Sequence, residues 1–269
     1  MPVSGKLVQQ WFEGPLARIR LTRGASANTI DLRFGPELAA AVEASAAGGA
    51  RAVLLDAEGA IFCGGGDMKH FGPYAVAGDG LGTELHRVAS ALHVAELALW
   101  DLDVPVVACV QGPVAGAGIG LMCCADLVVA STSARFVLAY TKIGLSPDGG
   151  SSYFLPRMIG LRRALELTLT NRTLSAEEAL EWGLVSSVVP DDEARPTATR
   201  IAVALAEGAT GALGRSKRLL REAEHHDLST HLGLEADSLR VSGDSSEGLS
   251  GVVAFATRGK QSARPGSGG

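Results

Sequence analysis

Short apolar runs alternate with helically spaced stripes through the first two thirds of this chain, and stripes alone follow. Residues 16–22 alternate apolar and polar after the Glu13-Gly14-Pro15 turn, which predicts a half-buried antiparallel strand. Residues 34–46 carry an Ala/Leu/Val stripe with Pro36 near the start and Gly48-Gly49 at the end, the marks of a helix. Residues 52–56 (AVLLD), 104–110 and 127–130 are short and mainly β-branched or aliphatic, as expected of strands buried on both faces. A third short strand of this region is predicted over 136–140. Between 83 and 102, Leu85, Val88, Ala89, Leu92, Ala95 and Leu99 recur at helical spacing. A turn at 146–151 opens a helix expected to reach Met158. Ser175 with Glu178 makes a capping box, Gly183 ends that helix, and 185–189 is a last strand.

Strand-helix-strand alternation of this kind predicts a layered α/β core. Beyond Pro190 the pattern changes to helices over 197–207, 211–224, 228–242 and 246–256. The chain is therefore divided into an α/β core over 1–195 that holds the active site, a helical oligomerisation region over 196–258 and a disordered tail over 259–269. Helices that find too little core of their own bury their stripes on a neighbouring subunit, so an oligomer is expected. Residues 72–82 are glycine-rich and weakly patterned, and are expected to form a loop near a ligand.

Composition narrows the function classes. With 269 residues, 46% of them hydrophobic and 20% charged, the chain is long enough for one large domain with ordinary globular chemistry. A net charge of −5 offers no basic stripe for phosphates, so no nucleic-acid partner is expected. No apolar run reaches the roughly 18 residues of a membrane span, and the first ten residues lack a signal-peptide core, which places the protein in the cytoplasm, away from membranes. Cys63, Cys109, Cys123 and Cys124 lie in apolar or glycine-rich surroundings without metal-ligand spacing; they read as buried free thiols, and no metal is expected.

Two glycine-rich turns, Phe62-Cys63-Gly64-Gly65-Gly66-Asp67 and Gly116-Ala117-Gly118-Ile119-Gly120, each follow a buried strand. Such a pair can aim peptide N–H groups at one point, as an oxyanion hole requires. The second turn lacks the third glycine of a dinucleotide fingerprint. Asp148, in Ser-Pro-Asp-Gly-Gly-Ser, is the one acid between Ala130 and Leu165. It reads either as a reactive carboxylate or as the N-cap of the helix that follows. Ser151 and Ser152 lie near it, but no G-x-S-x-G elbow is present. His225, His226 and His231 fall on polar helices, and His86 and His93 share one helical face without an evident carboxylate partner.

Taken together, the segments IFCGGGDMKHF, VQGPVAGAGIGLMCCADLVVAS, ARFVLAYTKIGLSPDGGSSYFLPRMIG and LTNRTLSAEEALEWGLVSSVV resemble the crotonase (enoyl-CoA hydratase/isomerase) superfamily over residues 14–260. The resemblance implies a spiral of ββα units, a C-terminal helical region that makes a homotrimer or a hexamer of two trimers, and an acyl-CoA thioester substrate with no separate cofactor. It implies that the N–H groups of Gly66 and Ala117 hold the thioester oxygen as it becomes an enolate. Ala60, Phe62 and Gly64 would meet adenine; Arg23, Arg258 and Lys260 would lie near phosphates. The two glutamates of the family's hydratases match Gly120 and Tyr140, so hydration is disfavoured and a hydratase name would be nominal. Asp148 matches the single aspartate of its isomerases, notably those of phenylacetyl-CoA type, with Tyr140 shaping the pocket. Fatty acid or aromatic acid metabolism is the expected setting. The alternatives are hydrolysis resembling that of aromatic acyl-CoA dehalogenases, whose histidine and tryptophan match Leu97 and Tyr140, and a non-catalytic CoA-binding relative.

Overall fold

The computed structural model describes residues 5–261, with side chains through Thr257. Val8–Glu13 (β1) and Leu16–Leu21 (β2) form an antiparallel hairpin, Phe34–Ala47 (α1) follows, and Ala52–Ala57 (β3) runs parallel to β2. Met68–Ala77 (α2) and Leu81–Trp100 (α3) lead into Val106–Val110 (β4), Val114–Ala115 (β5) and Ala117–Cys123 (α4). Leu127–Ser131 (β6), Arg135–Val137 (β7), Ser151–Ile159 (α5), Leu161–Thr170 (α6), Leu174–Ser175 (β8), Ala176–Trp182 (α7) and Ser187–Val189 (β9) complete the sheet-bearing part. Ala194–Glu207 (α8), Thr210–Glu222 (α9), Leu228–Asp244 (α10) and Ser246–Gln261 (α11) close the chain. One sheet has the order β1-β2-β3-β4-β6-β9, parallel from β2 onward; a smaller one has β5-β7-β8.

The central strands are apolar but for Asp56 and Ser131 because both of their faces are covered. Val53 and Leu55 of β3, with Val106 and Ala108 of β4, face the layer that contains Phe34, Leu38 and Leu92 of α1 and α3. Their neighbours Leu54, Val107 and Cys109 face Ala194, Ala198, Ala202 and Ala206, one stripe of α8 at i, i+4 spacing. Small side chains let this helix lie close to the sheet. Asp56, 1% exposed at the end of β3, fastens it: the carboxylate accepts from Arg20 Nε at 2.5 Å and Nη2 at 2.8 Å and also pairs with Arg195 of α8.

Several expectations are corrected. The boundary at 195/196 falls inside α8, whose stripe belongs to the core rather than to an interface. The segment 72–82 is largely helical: the Asp67 side chain accepts from Lys69 N at 2.9 Å, so α2 starts there, and Gly78 ends it in the left-handed region at φ 70°. The strand expected over 136–140 stops at Val137; Ala139 adopts φ 61°, which breaks the pairing and turns Tyr140 toward the interior. Helix α11 extends to Gln261, so only 262–269 of the expected tail lie outside the described residues. No helix among the described residues is long and apolar enough to cross a membrane.

Candidate active site

Both glycine turns and the Asp148 turn line one cavity of about 420 Å³. The first turn is pinned on either side of Gly66. Ile30 N donates to Gly65 O at 2.8 Å, and Asp67 N donates to Ile30 O at 2.8 Å. This pairing leaves the Gly66 N–H without a protein acceptor among the described residues. The second turn depends on Gly116, whose φ of 53° and ψ of −129° suit glycine alone; its N–H donates to Val137 O at 3.0 Å. Ala117 then starts α4, so its N–H is one of the donors that a helix leaves unpaired.

Asp148 lines the same cavity. Its carbonyl, not its carboxylate, closes the turn, accepting from Ser151 N at 3.2 Å and from Ser151 Oγ at 2.8 Å. The N-cap of α5 is Gly150, with no side-chain cap. The carboxylate instead accepts a hydrogen bond from the Tyr140 hydroxyl. Burial, then the charge on Asp148, hold the Tyr140 hydroxyl proton well above the usual phenol range. Gly149 and Gly150 both have positive φ, 57° and 69°, and the turn they make sits directly on α4. A Cβ on Gly120 would overlap the Gly149 carbonyl, so this helix position must be glycine for the acid to stand where it does.

The structure brings Gly64, Gly66, Ala117, Tyr140 and Asp148 together at this cavity. Asp148 is the one carboxylate among the lining residues; His86 and Lys142 are the basic ones, and Met68, Phe71, Leu85 and Leu92 make an apolar wall. The other predicted residues lie elsewhere. Phe62 is fully buried in the core and Ala60 is exposed. Arg23 is committed to two carboxylates, with Nη1 2.9 Å from Asp31 and Nη2 2.6 Å from Asp67. Arg258 and Lys260 belong to α11, with side chains outside the described residues. All four cysteines are buried and free, and burial pushes Cys63 and Cys123 up to about 12, so they are thiols rather than nucleophiles.

Sequence reasoning passed over Glu96. It is 6% exposed on α3 and lines a second cavity of about 400 Å³ with His93, Leu97, Trp100, Gly150 and Phe154. Burial, and behind it the charge of Asp148, push its carboxyl up to about 8. A sequence clue exists, since Glu96 falls four residues after Leu92 on the inward stripe of α3.

A family profile described as enoyl-CoA hydratase/isomerase matches residues 12–263. The chain is 41% identical over 207 residues to the 1,2-epoxyphenylacetyl-CoA isomerase of Escherichia coli (strain K12), covering 76% of this chain and 78% of that one. It is 33% identical over 216 residues to 4-chlorobenzoyl coenzyme A dehalogenase-2 of an Arthrobacter species, covering 80% and 78%. A solved enoyl-CoA hydratase from Polaromonas sp. JS666 shares the fold with a TM-score of 0.87 at 30% identity, covering 93% of this chain and 97% of that one.

Proposed function

The chain belongs to the enoyl-CoA hydratase/isomerase family, and from that premise we propose that it is an acyl-CoA isomerase that moves a double bond through a thioester enolate. The observation that carries this reading is a single carboxylate, Asp148, in the wall of a cavity that also contains two peptide N–H groups without acceptors among the described residues. In the reaction, the Asp148 carboxylate takes a proton from the carbon α to the thioester of a 3-enoyl group. The electron pair of that C–H bond moves toward the thioester, and the oxygen gains negative charge. The Gly66 and Ala117 N–H groups donate to that oxygen, an arrangement commonly worth several kcal/mol to the transition state. The Asp148 carboxylic acid then returns the proton at the γ carbon, so the double bond moves and no atom is gained or lost.

Hydration needs acids that activate water, and the matching positions do not supply them. Gly120 has no room for a side chain, and Tyr140 keeps its proton and donates a hydrogen bond to Asp148. Dehalogenation would use Asp148 as a nucleophile with a histidine and a tryptophan nearby; Leu97 and Tyr140 stand at those positions, and Leu97 is exposed at the second cavity. The apolar wall suits a hydrocarbon or aryl acyl group. For the coenzyme A part, Ala60 and Gly64 remain the proposed adenine contacts and Arg258 or Lys260 the proposed phosphate contacts; Phe62, fully buried in the core, is withdrawn from that set. Arg23, paired as it is, serves this reading by fixing Asp67 beside the glycine turn.

A homotrimer or a pair of trimers is proposed on the same basis. Helix α10 buries none of its residues, and Leu239, Val252, Val253 and Phe255 of α10 and α11 stand 61–83% exposed, an apolar surface suited to a second copy of the chain. Incubation of 3-enoyl-CoA thioesters in D2O, followed by NMR, tests the activity. The expected product is the 2-enoyl thioester; accumulation of a 3-hydroxyacyl thioester, or release of chloride from 4-chlorobenzoyl-CoA, would replace this reading with hydration or dehalogenation.

A further inference from the structure

Of the buried acids among the described residues, Asp56, Asp67 and Glu84 are ion-paired and Glu96 is not. Leu85, Val88 and Leu92 of α3 line the first cavity, and the same helical stripe continues through Glu96 to Trp100 in the wall of the second. Asp148 belongs to the first wall and Gly150 to the second. The Asp148 turn is therefore the partition between the two cavities, and Glu96 stands behind it. Glu96 Oε1 is buried without a hydrogen-bond partner, and neither of its oxygens is bonded to protein among the described residues. A carboxyl group left in this way is stable only if it is neutral or meets water or a proton carrier.

Among the described residues no Lys, Arg or His makes an ion pair with Glu96. His93 and Tyr153 share its cavity wall. Tyr140, Cys63, Cys123 and Cys124 are groups on which its charge acts, each held in its protonated form by burial. Arg221 lies 3.4 Å over the Trp100 ring and Arg157 lies 3.7 Å over Tyr153, but their ion pairs are with Asp126 and Glu224. Asp148 supplies the charge that Glu96 meets.

We infer that Glu96 is the proton-exchange partner of Asp148, a positioning residue that acts through that carboxylate and connects it to water in the second cavity. The cavity's volume of about 400 Å³ is ample for several waters, each of which takes roughly 30 Å³ in the liquid. After Asp148 has taken a substrate proton, both carboxyls are protonated. Glu96 breaks its O–H bond to a water, that proton passes to solvent, and the proton on Asp148 passes to Glu96. Asp148 is again a carboxylate and Glu96, now holding the substrate-derived hydrogen, again an acid. That hydrogen exchanges with water of the second cavity, and transfer of the exchanged proton from Glu96 back to Asp148, with Glu96 reprotonated from water, delivers a solvent hydrogen.

The kinetic test rests on the isomerase reading; a second, spectroscopic test does not. With a 3-enoyl-CoA thioester in D2O, the deuterium incorporated per turnover is expected to fall several-fold in Glu96→Gln, because Asp148 then returns the original proton. Equal incorporation in both proteins overturns the inference. In the substrate-free protein labelled with 13C-glutamate, the infrared carbonyl band of a protonated carboxyl is expected to titrate near pH 8. Its midpoint should fall by about one pH unit in Asp148→Asn, the scale on which one neighbouring like charge acts. An unmoved midpoint overturns the inference. A moved midpoint in a protein that isomerises no thioester supports the pairing and rejects the reaction. Because this second test uses an Asp148 variant, it holds even if Glu96→Gln fails to fold.

Discussion

The Tyr140 hydroxyl donates its hydrogen bond to the Asp148 carboxylate, and that carboxylate caps no helix. The acid is thus held from the preceding turn, where Ala139 in the left-handed region directs Tyr140 inward, rather than by the helix it precedes. An N-cap aspartate would have spent its oxygens on peptide N–H groups; here one oxygen accepts from Tyr140 and the group lines the cavity.

Tyr140 should therefore keep its proton under conditions that ionise an ordinary tyrosine. Spectrophotometric titration of the folded protein to about pH 10, the usual phenol midpoint, is expected to show the same gain in tyrosinate absorbance for wild type and Tyr140→Phe. A larger gain in the wild type would contradict the burial and the Asp148 contact that keep Tyr140 neutral.

Gly120 carries the Asp148 turn on its bare Cα. Gly120→Ala is expected to force the Gly149 carbonyl away, to cost about 1–3 kcal/mol of stability as an overpacked position, and to lower isomerisation more than tenfold. Urea unfolding and turnover measured on the same preparation check both parts. Unchanged values for both would mean that the close contact at Gly120 does not position the acid.

Ala117 is the first residue of α4, a position that accepts proline because its N–H has no helical partner. Ala117→Pro deletes one of the two proposed oxyanion donors while leaving the helix start intact. Loss of about 10²–10³ in turnover, the cost of one such donor, with little change in melting temperature is the expected outcome. Near-normal turnover would remove Ala117 from the mechanism.

Much of this site was legible in the residues themselves. Two glycine turns after buried strands, and one acid isolated among small and apolar neighbours, are local patterns, and the three converge on one cavity. Helices α4 and α6 were not legible, and α2 was legible only as a short helix near Met68. In α4, Gly118 against Cys63 and Gly120 against Gly149 show tertiary packing overriding a composition poor in helix formers. In α2, Gly72 and Pro73 masked the continuation to Ala77 of the short helix expected near Met68, which is set by its caps, Asp67 and Gly78. Glu96 was missed because a glutamate on an amphipathic helix reads as a solvated one; its burial depends on the Asp148 turn, about fifty residues away in sequence, packing over it.

Glu96 also gives stability a pH dependence. Its carboxyl rises from the ordinary 4.5 to about 8 on folding, so between these values the folded chain holds a proton that the unfolded chain has released. The contribution is fully present below about pH 4.5 and is lost as pH rises toward 8, by up to about 1.4 kcal/mol per pH unit. Urea unfolding at pH 5 and pH 7 should show wild type losing about 2 kcal/mol relative to Glu96→Gln over that interval. Parallel behaviour of the two proteins would mean that Glu96 is ionised in the fold.

The most direct measurement is hydrogen exchange at the carbon α to the thioester, followed by NMR in D2O with wild type and Asp148→Asn. The account predicts that wild type exchanges this hydrogen and that Asp148→Asn loses at least about a thousandfold, within the range assigned to a positioned general base, while binding coenzyme A thioesters as before. Exchange by Asp148→Asn at the wild-type rate would contradict it.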